Sequence, residues 1–115
     1  IQDSRDKIST CINRELELIG VTSNLKGKKY IHDAILYLIE NEDSDINVVK
    51  YLTTVYKKSE TTINNGIKNA IYHAWRASPI EDLMRYYTAR VNYETGIPTN
   101  MEFLYYYRDK IKNMI

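Results

Sequence analysis

Apolar side chains return every third or fourth residue in one segment of this chain after another. That spacing lines one face of a helix, whereas a half-buried strand needs a period of two. Ile8, Cys11, Ile12, Leu16 and Ile19 set the pattern, and Ile31, Ala34, Ile35, Leu38 and Ile39 repeat it. Val48, Val49, Leu52 and Tyr56 follow, then Ile63, Ile67, Ala70, Ile71 and Ala74, and finally Phe103, Leu104, Tyr107 and Ile111. The expectation is an all-α fold. At 115 residues the chain fits one domain around a single modest core.

Local signals divide the pattern into six helices. Asp3 or Ser4 is a candidate cap for a first helix that runs to about Ile19, and Gly20 stops it. A second helix is expected over Lys28–Asn41. Asp45, in an acidic turn, is a candidate cap for a third over Ile46–Tyr56. The valines and threonines of that segment weaken its helix propensity, but its three-to-four spacing decides for helix. Lys57 to Glu60 forms a turn whose Ser59 caps a fourth helix over Glu60–Arg76, with Trp75 at the edge of its apolar stripe. Gly66, inside that helix, costs up to about 1 kcal/mol against alanine; close helix packing is the expected reason for it. Ser78-Pro79 opens a short fifth helix, with Ile80, Leu83 and Met84 expected inward, and Val91 to Gly96 reads as loop. Thr99 and Glu102 form the T-x-x-E of a capping box, which starts a last helix over Asn100–Met114.

Chemistry-bearing motifs are scarce. His32 and His73 have no second ligand at helical spacing, and His32 and Asp33, as sequence neighbours on a helix, are expected to point apart. The carboxylates of Glu40, Glu42, Asp43 and Asp45 lack the glycine and terminal glutamate of a calcium loop. There is neither a P-loop nor a nucleophile elbow. No catalytic residue, metal or cofactor is expected, and the chain reads as a non-enzyme. The single cysteine, Cys11, reads as a core residue; it excludes an internal disulfide and suits a cytoplasmic location. The start of the chain is polar, without a secretory signal. The most apolar run, Tyr30 to Ile39, is interrupted by His32 and Asp33 and is too short to span a bilayer, so no membrane partner is expected. The first residue is Ile rather than Met, as in a piece of a longer protein.

The charge distribution points to a polyanion. Residues 50–78 carry five basic side chains and one acidic, against six basic and nine acidic in residues 1–49. Cationic side chains displace counterions from phosphates. The basic stretch coincides with two helices joined by a tight turn, a candidate helix-turn-helix over about residues 46–76. In that motif the second helix lies in the major groove and its first turns offer side chains to base edges. Thr61, Thr62, Asn64, Asn65, Lys68 and Asn69 form the candidate base-reading set, since asparagine pairs well with adenine and lysine reaches guanine or phosphate. Lys57, Lys58, Ser59 and Tyr72 form the candidate phosphate set. The expected partner is double-stranded DNA. Eleven tyrosines favour a further contact surface. Phe103, Tyr105, Tyr106, Tyr86 and Tyr87 are its candidates, and in the run Tyr105-Tyr106-Tyr107 one ring is expected inward and two at the rim.

The whole chain also resembles the C-terminal effector domain of the stage-zero sporulation protein A family, which are response-regulator transcription factors of two-component systems. Ile19-Gly20-Val21, Leu25-Lys26-Gly27, Tyr30-Ile31 and Ala34-Ile35 are similar to the family's I-G-V, I-K-G and Y-L-R-E-A-I run. Ala70-Ile71 with Ala74-Trp75 resembles its A-I-x-x-A-W. Pro98-Thr99-Asn100, Glu102-Phe103 and Asp109-Lys110-Ile111 resemble P-T-N-x-E-F and D-K-L. The resemblance covers about residues 15–112. It implies a six-helix domain that contacts DNA through its helix-turn-helix and follows a phosphoacceptor receiver domain. It also implies dimer contacts on DNA through the last helix and a contact with an RNA polymerase sigma subunit after the A-W helix. The run Thr61 to Asn69 departs from the family's S-R-V-E-R-A-I-R-H: Thr62, Asn64 and Asn65 stand where arginine, glutamate and arginine read bases, and Lys68 alone keeps its positive charge. Two functions follow. One is a sequence-specific transcription regulator; the other is a protein-interaction module that has lost base reading.

Overall fold

A computed structural model describes residues 2–41, 47–89, 91 and 94–115. Among them lie six α-helices and no strand: α1 Gln2–Leu18, α2 Lys28–Glu40, α3 Val48–Tyr56, α4 Glu60–Ala77, α5 Ile80–Tyr86 and α6 Asn100–Met114. The all-helical expectation holds, and the six segments fall where periodicity put them.

The ends follow from local chemistry. Gly20 takes φ +96°, and Val21 N–H donates back to the Leu16 carbonyl at 2.8 Å, which closes α1. Asp3 and Ser4 are already inside α1, so neither caps it. The cap of α3 is Asn47, whose side chain accepts from Lys50 N–H at 3.1 Å; Asp45 lies outside the described residues. Ser59 caps α4 as expected, accepting from Thr62 N–H at 3.1 Å. Both halves of the Thr99–Glu102 capping box are made, at 3.3 and 3.0 Å.

Helix α2 is the hub, packing on α1, α3, α4 and α6. Ile12, Leu16, Ile31, Ile35, Leu52, Ile67, Leu104 and Ile111 are among the side chains it draws into one core. Cys11 is buried there, as its spacing implied. Two glycines set the closest approach: a Cβ built on Gly27 would stand 2.0 Å from the Gly66 carbonyl oxygen, and one on Gly66 would stand 2.8 Å from the Tyr30 ring. This contact is the reason for a glycine inside α4.

Two further expectations are overturned. Ile80 and Met84 are 70% and 71% exposed, while Leu83 and Tyr87 are buried. A seven-residue helix at the edge of the domain turns only the arc around Leu83 and Tyr87 to the core; its spacing marked an apolar stripe but not which half finds a partner. His32 and Asp33 do not point apart. His32 Nδ1 is 2.8 Å from Asp33 Oδ1, and His32 Nε2 is 2.7 Å from Ser9 Oγ on α1. The Tyr56 hydroxyl donates to the other Asp33 oxygen, so one hydrogen-bonded chain joins α1, α2 and α3. Burial alone raises the Asp33 carboxyl pKa. Hydrogen bonds from His32 and Tyr56, with the charges of His32 and Arg5, outweigh it and hold the group below its usual range.

Tyr107 is fully buried on α6, and its hydroxyl has no hydrogen-bond partner among the described residues. Desolvation by burial keeps the phenol neutral, pushing its pKa well up. An unsatisfied buried hydroxyl costs about 1–3 kcal/mol. Tyr107→Phe is therefore expected to leave stability unchanged or to raise it by up to about 1 kcal/mol. A urea midpoint that drops for this variant would show that the hydroxyl has a partner in solution.

Candidate nucleic-acid interface

The candidate site is built on α4. Ile63, Ile67, Ala70, Ile71 and Ala74 are buried and fix the rotation of the helix. At about 100° per residue, the arc most directly opposed to them holds Thr61, Asn65, Asn69, Tyr72 and Arg76, with Lys68 beside it. Thr61, Asn65, Lys68, Asn69 and Arg76 are exposed, and Tyr72 is half-buried. The Tyr72 ring lies between two cations, Lys68 Nζ at 5.4 Å and the Arg76 guanidinium at 5.9 Å. Such contacts steady long cationic side chains over a ring face.

The rest of the base-reading set is placed differently. Asn64 is exposed but sits on the flank of α4, where its backbone carbonyl accepts from Asn100 Nδ2 at 3.0 Å. Thr62 Oγ1 accepts from Ser59 Oγ at 2.9 Å, so the Ser59 hydroxyl proton is used within the helix cap. Lys57 and Lys58 are both exposed in the turn, and Lys57 takes the left-handed conformation, φ 55°, that ends α3 and redirects the chain into α4. The structure thus brings Thr61, Asn65, Lys68, Asn69 and Tyr72 to one outward face. It sets Asn64 and Thr62 at that face's two sides and Lys57–Ser59 at one end.

Sequence reasoning missed Arg76 and Asn100. Arg76 continues the three-to-four-residue step from Asn65 through Asn69 and Tyr72, a signal within reach of the sequence. Asn100 is thirty-six residues from its partner Asn64, a separation no local pattern bridges.

The aromatic partner set splits. Phe103 and Tyr87 are 0% and 4% exposed and stack on each other, planes 9° apart, beside Trp75 and Tyr107. They are core residues in this chain, not surface ones, because Tyr87, at the C-terminal cap of α5, packs its ring against Phe103, Tyr106 and Tyr107 of α6. Tyr106 is half-buried, and its hydroxyl donates to the Tyr86 carbonyl at 3.1 Å and accepts from Thr88 N–H at 3.2 Å. Tyr105, 39% exposed, faces outward with the Arg108 guanidinium 4.7 Å from its ring centre. Within the tyrosine run, Tyr107 is inward and the other two sit at the rim, as expected.

Among the described residues, no cluster of three or more His, Cys, Asp or Glu is placed to hold a metal ion. Among the described residues, no helix is long and apolar enough to cross a membrane. The family described as sporulation initiation factor Spo0A C terminal matches residues 12–111. The chain belongs to this family.

Proposed function

We propose that this domain is the sequence-specific, double-stranded-DNA-binding part of a sporulation-type transcription regulator, with α4 as the helix that enters the major groove. The observation that carries the reading is the outward face of α4. Thr61, Asn65, Lys68 and Asn69 stand free of the core in the first turns, directly after a turn bearing Lys57 and Lys58. Family membership supports it. Asn65 sits at the centre of the arc and is assigned to a base edge. Lys57 and Lys58 are assigned to phosphates, with Tyr72 as a further phosphate donor. The paired asparagines favour adenine-containing sites. Pairing of two copies on DNA, contact with a polymerase sigma subunit and an upstream receiver domain belong to the same reading.

Asn65→Ala tests it. Its side chain touches nothing in the core, so folding should be unaffected. A good base contact contributes about 1–3 kcal/mol of discrimination, roughly 5- to 150-fold in relative affinity. Sites should be selected from a random duplex pool and compared for both proteins. Unchanged affinity and unchanged site preference would remove Asn65 from the reading face.

One observation favours the protein-interaction reading as a second function. Ile80 and Met84, both exposed, line an apolar groove of about 620 Å³ together with Trp75 and Tyr87. Failure to shift any duplex at low salt would make that surface the main one.

A further inference from the structure

The α1–α2 corner carries three lysines that the helix-turn-helix does not include. Lys28 is 7% exposed; its ammonium lies 3.4 Å from both Glu17 and the Ser23 hydroxyl. Lys26 and Lys29 are exposed, and neither forms an ion pair with any described residue. The three line an open groove of about 630 Å³, together with Asn24 and Asn13.

Tertiary packing brings this corner to α4. Gly27 lies against Gly66 so closely that a Cβ would stand 2.0 Å from the Gly66 carbonyl oxygen. On α4, Gly66 and Asn64 fall on opposite sides of the buried stripe at about 100° per residue. Asn64 is the side touched by α6 through Asn100. The α2 corner therefore flanks the other side, next to Thr62 and Asn69. Lys29 also reaches the helix-turn-helix turn: its ammonium is 5.2 Å from the ring centre of Tyr56, the residue before Lys57.

A helix with its side chains is about 10–12 Å across and the major groove about 12 Å wide. An element packed beside a helix that fills the groove must meet a phosphate wall. We infer that Lys26 and Lys29 form a second phosphate contact on the same duplex, on the Thr62–Asn69 side of α4. Lys28, spent on Glu17 and Ser23, holds the corner in shape and is not itself a contact. Glu17, the carboxylate that lines the groove, is already engaged by Lys28, and Asp33 on α2 by His32 and Tyr56. The inference rests on α4 lying in the major groove, as proposed above.

The test compares binding of a selected duplex across a salt series for wild type and three double variants. Each phosphate contact contributes about 0.9 to the slope of log affinity against log salt. Lys26→Ala with Lys29→Ala is expected to lower that slope by about 1.8, to weaken binding at low salt, and to leave the preferred sequence unaltered. Lys57→Ala with Lys58→Ala is expected to do the same. Lys7→Ala with Arg14→Ala removes equal charge from the face of α1 opposite its core stripe and should keep the wild-type slope. A wild-type slope in the Lys26/Lys29 variant, with wild-type DNA bound normally, overturns this contact and leaves α4 reading intact. A slope that falls equally in the Lys7/Arg14 variant also overturns it, because net charge then explains the loss. Wild type that binds no duplex at low salt overturns the DNA reading itself, and this contact with it. Unchanged circular dichroism melting of each variant excludes unfolding as the cause.

Discussion

Phe103→Ala is expected to remove about 3–5 kcal/mol of folding stability. The ring is fully buried, stacks on Tyr87 and meets Trp75 and Tyr107 at edge and tilt. Its loss deletes apolar area and leaves a cavity lined by large rigid rings that cannot collapse into it. Domains of this size are stable by about 5–15 kcal/mol, so much of that margin would go. Urea denaturation followed by circular dichroism measures it. A variant that keeps wild-type stability while losing self-association would return Phe103 to the surface role that its tyrosine-rich surroundings suggested.

Gly27→Ala is expected to be costly for a different reason. The glycine has ordinary right-handed geometry, φ −74° and ψ −12°, so an alanine would be comfortable as far as its own backbone is concerned. The obstacle is the neighbour: the new Cβ would stand 2.0 Å from the Gly66 carbonyl oxygen and 2.6 Å from its carbon. Backbone inside a helix cannot rotate away, so α2 and α4 must separate. Overpacking typically costs 1–3 kcal/mol, and a clash with backbone belongs at the upper end, about 3 kcal/mol. Gly66→Ala makes the control. Its Cβ would press on the Tyr30 ring, at 2.8 and 2.9 Å, but stand at an ordinary 3.9 Å from Gly27 Cα, and alanine recovers up to about 1 kcal/mol of helix propensity. The expected order is a large loss for Gly27→Ala and a clearly smaller one for Gly66→Ala. Equal thermal shifts for the two would mean that the interface is looser than its geometry.

The two variants bear on what was readable in advance. Apolar spacing placed five of the six helices and Ser78-Pro79 marked the other, because burial on one face of a helix is a property of each segment alone. Ser59 and the Thr99–Glu102 pair were legible because a cap bonds to backbone two or three residues away. The buried side of the fifth helix was not: Ile80, Leu83 and Met84 share a stripe, yet its position at the edge of the domain buried only Leu83 of the three. The aromatic set failed similarly. Composition marked Phe103, Tyr86, Tyr87, Tyr105 and Tyr106 as a contact surface, and the packing of Tyr87, at the end of α5, on Phe103 of α6 puts both in the core. The hydrogen bond between His32 and Asp33 joins sequence neighbours, but the ring's orientation also depends on Ser9 of another helix.

The sequence by itself determined the helices, most of their ends, the family, and which residues of α4 are polar. Those depend on interactions within a few residues, or on motif order along the chain. Only the tertiary structure decided what flanks α4: Asn100 on one side, Gly27 with Lys26 and Lys29 on the other. Contacts between residues more than thirty positions apart arise from how the helices pack around α2, and no local spacing encodes them. The candidate reading face was therefore visible along one helix, whereas its surroundings required the whole domain.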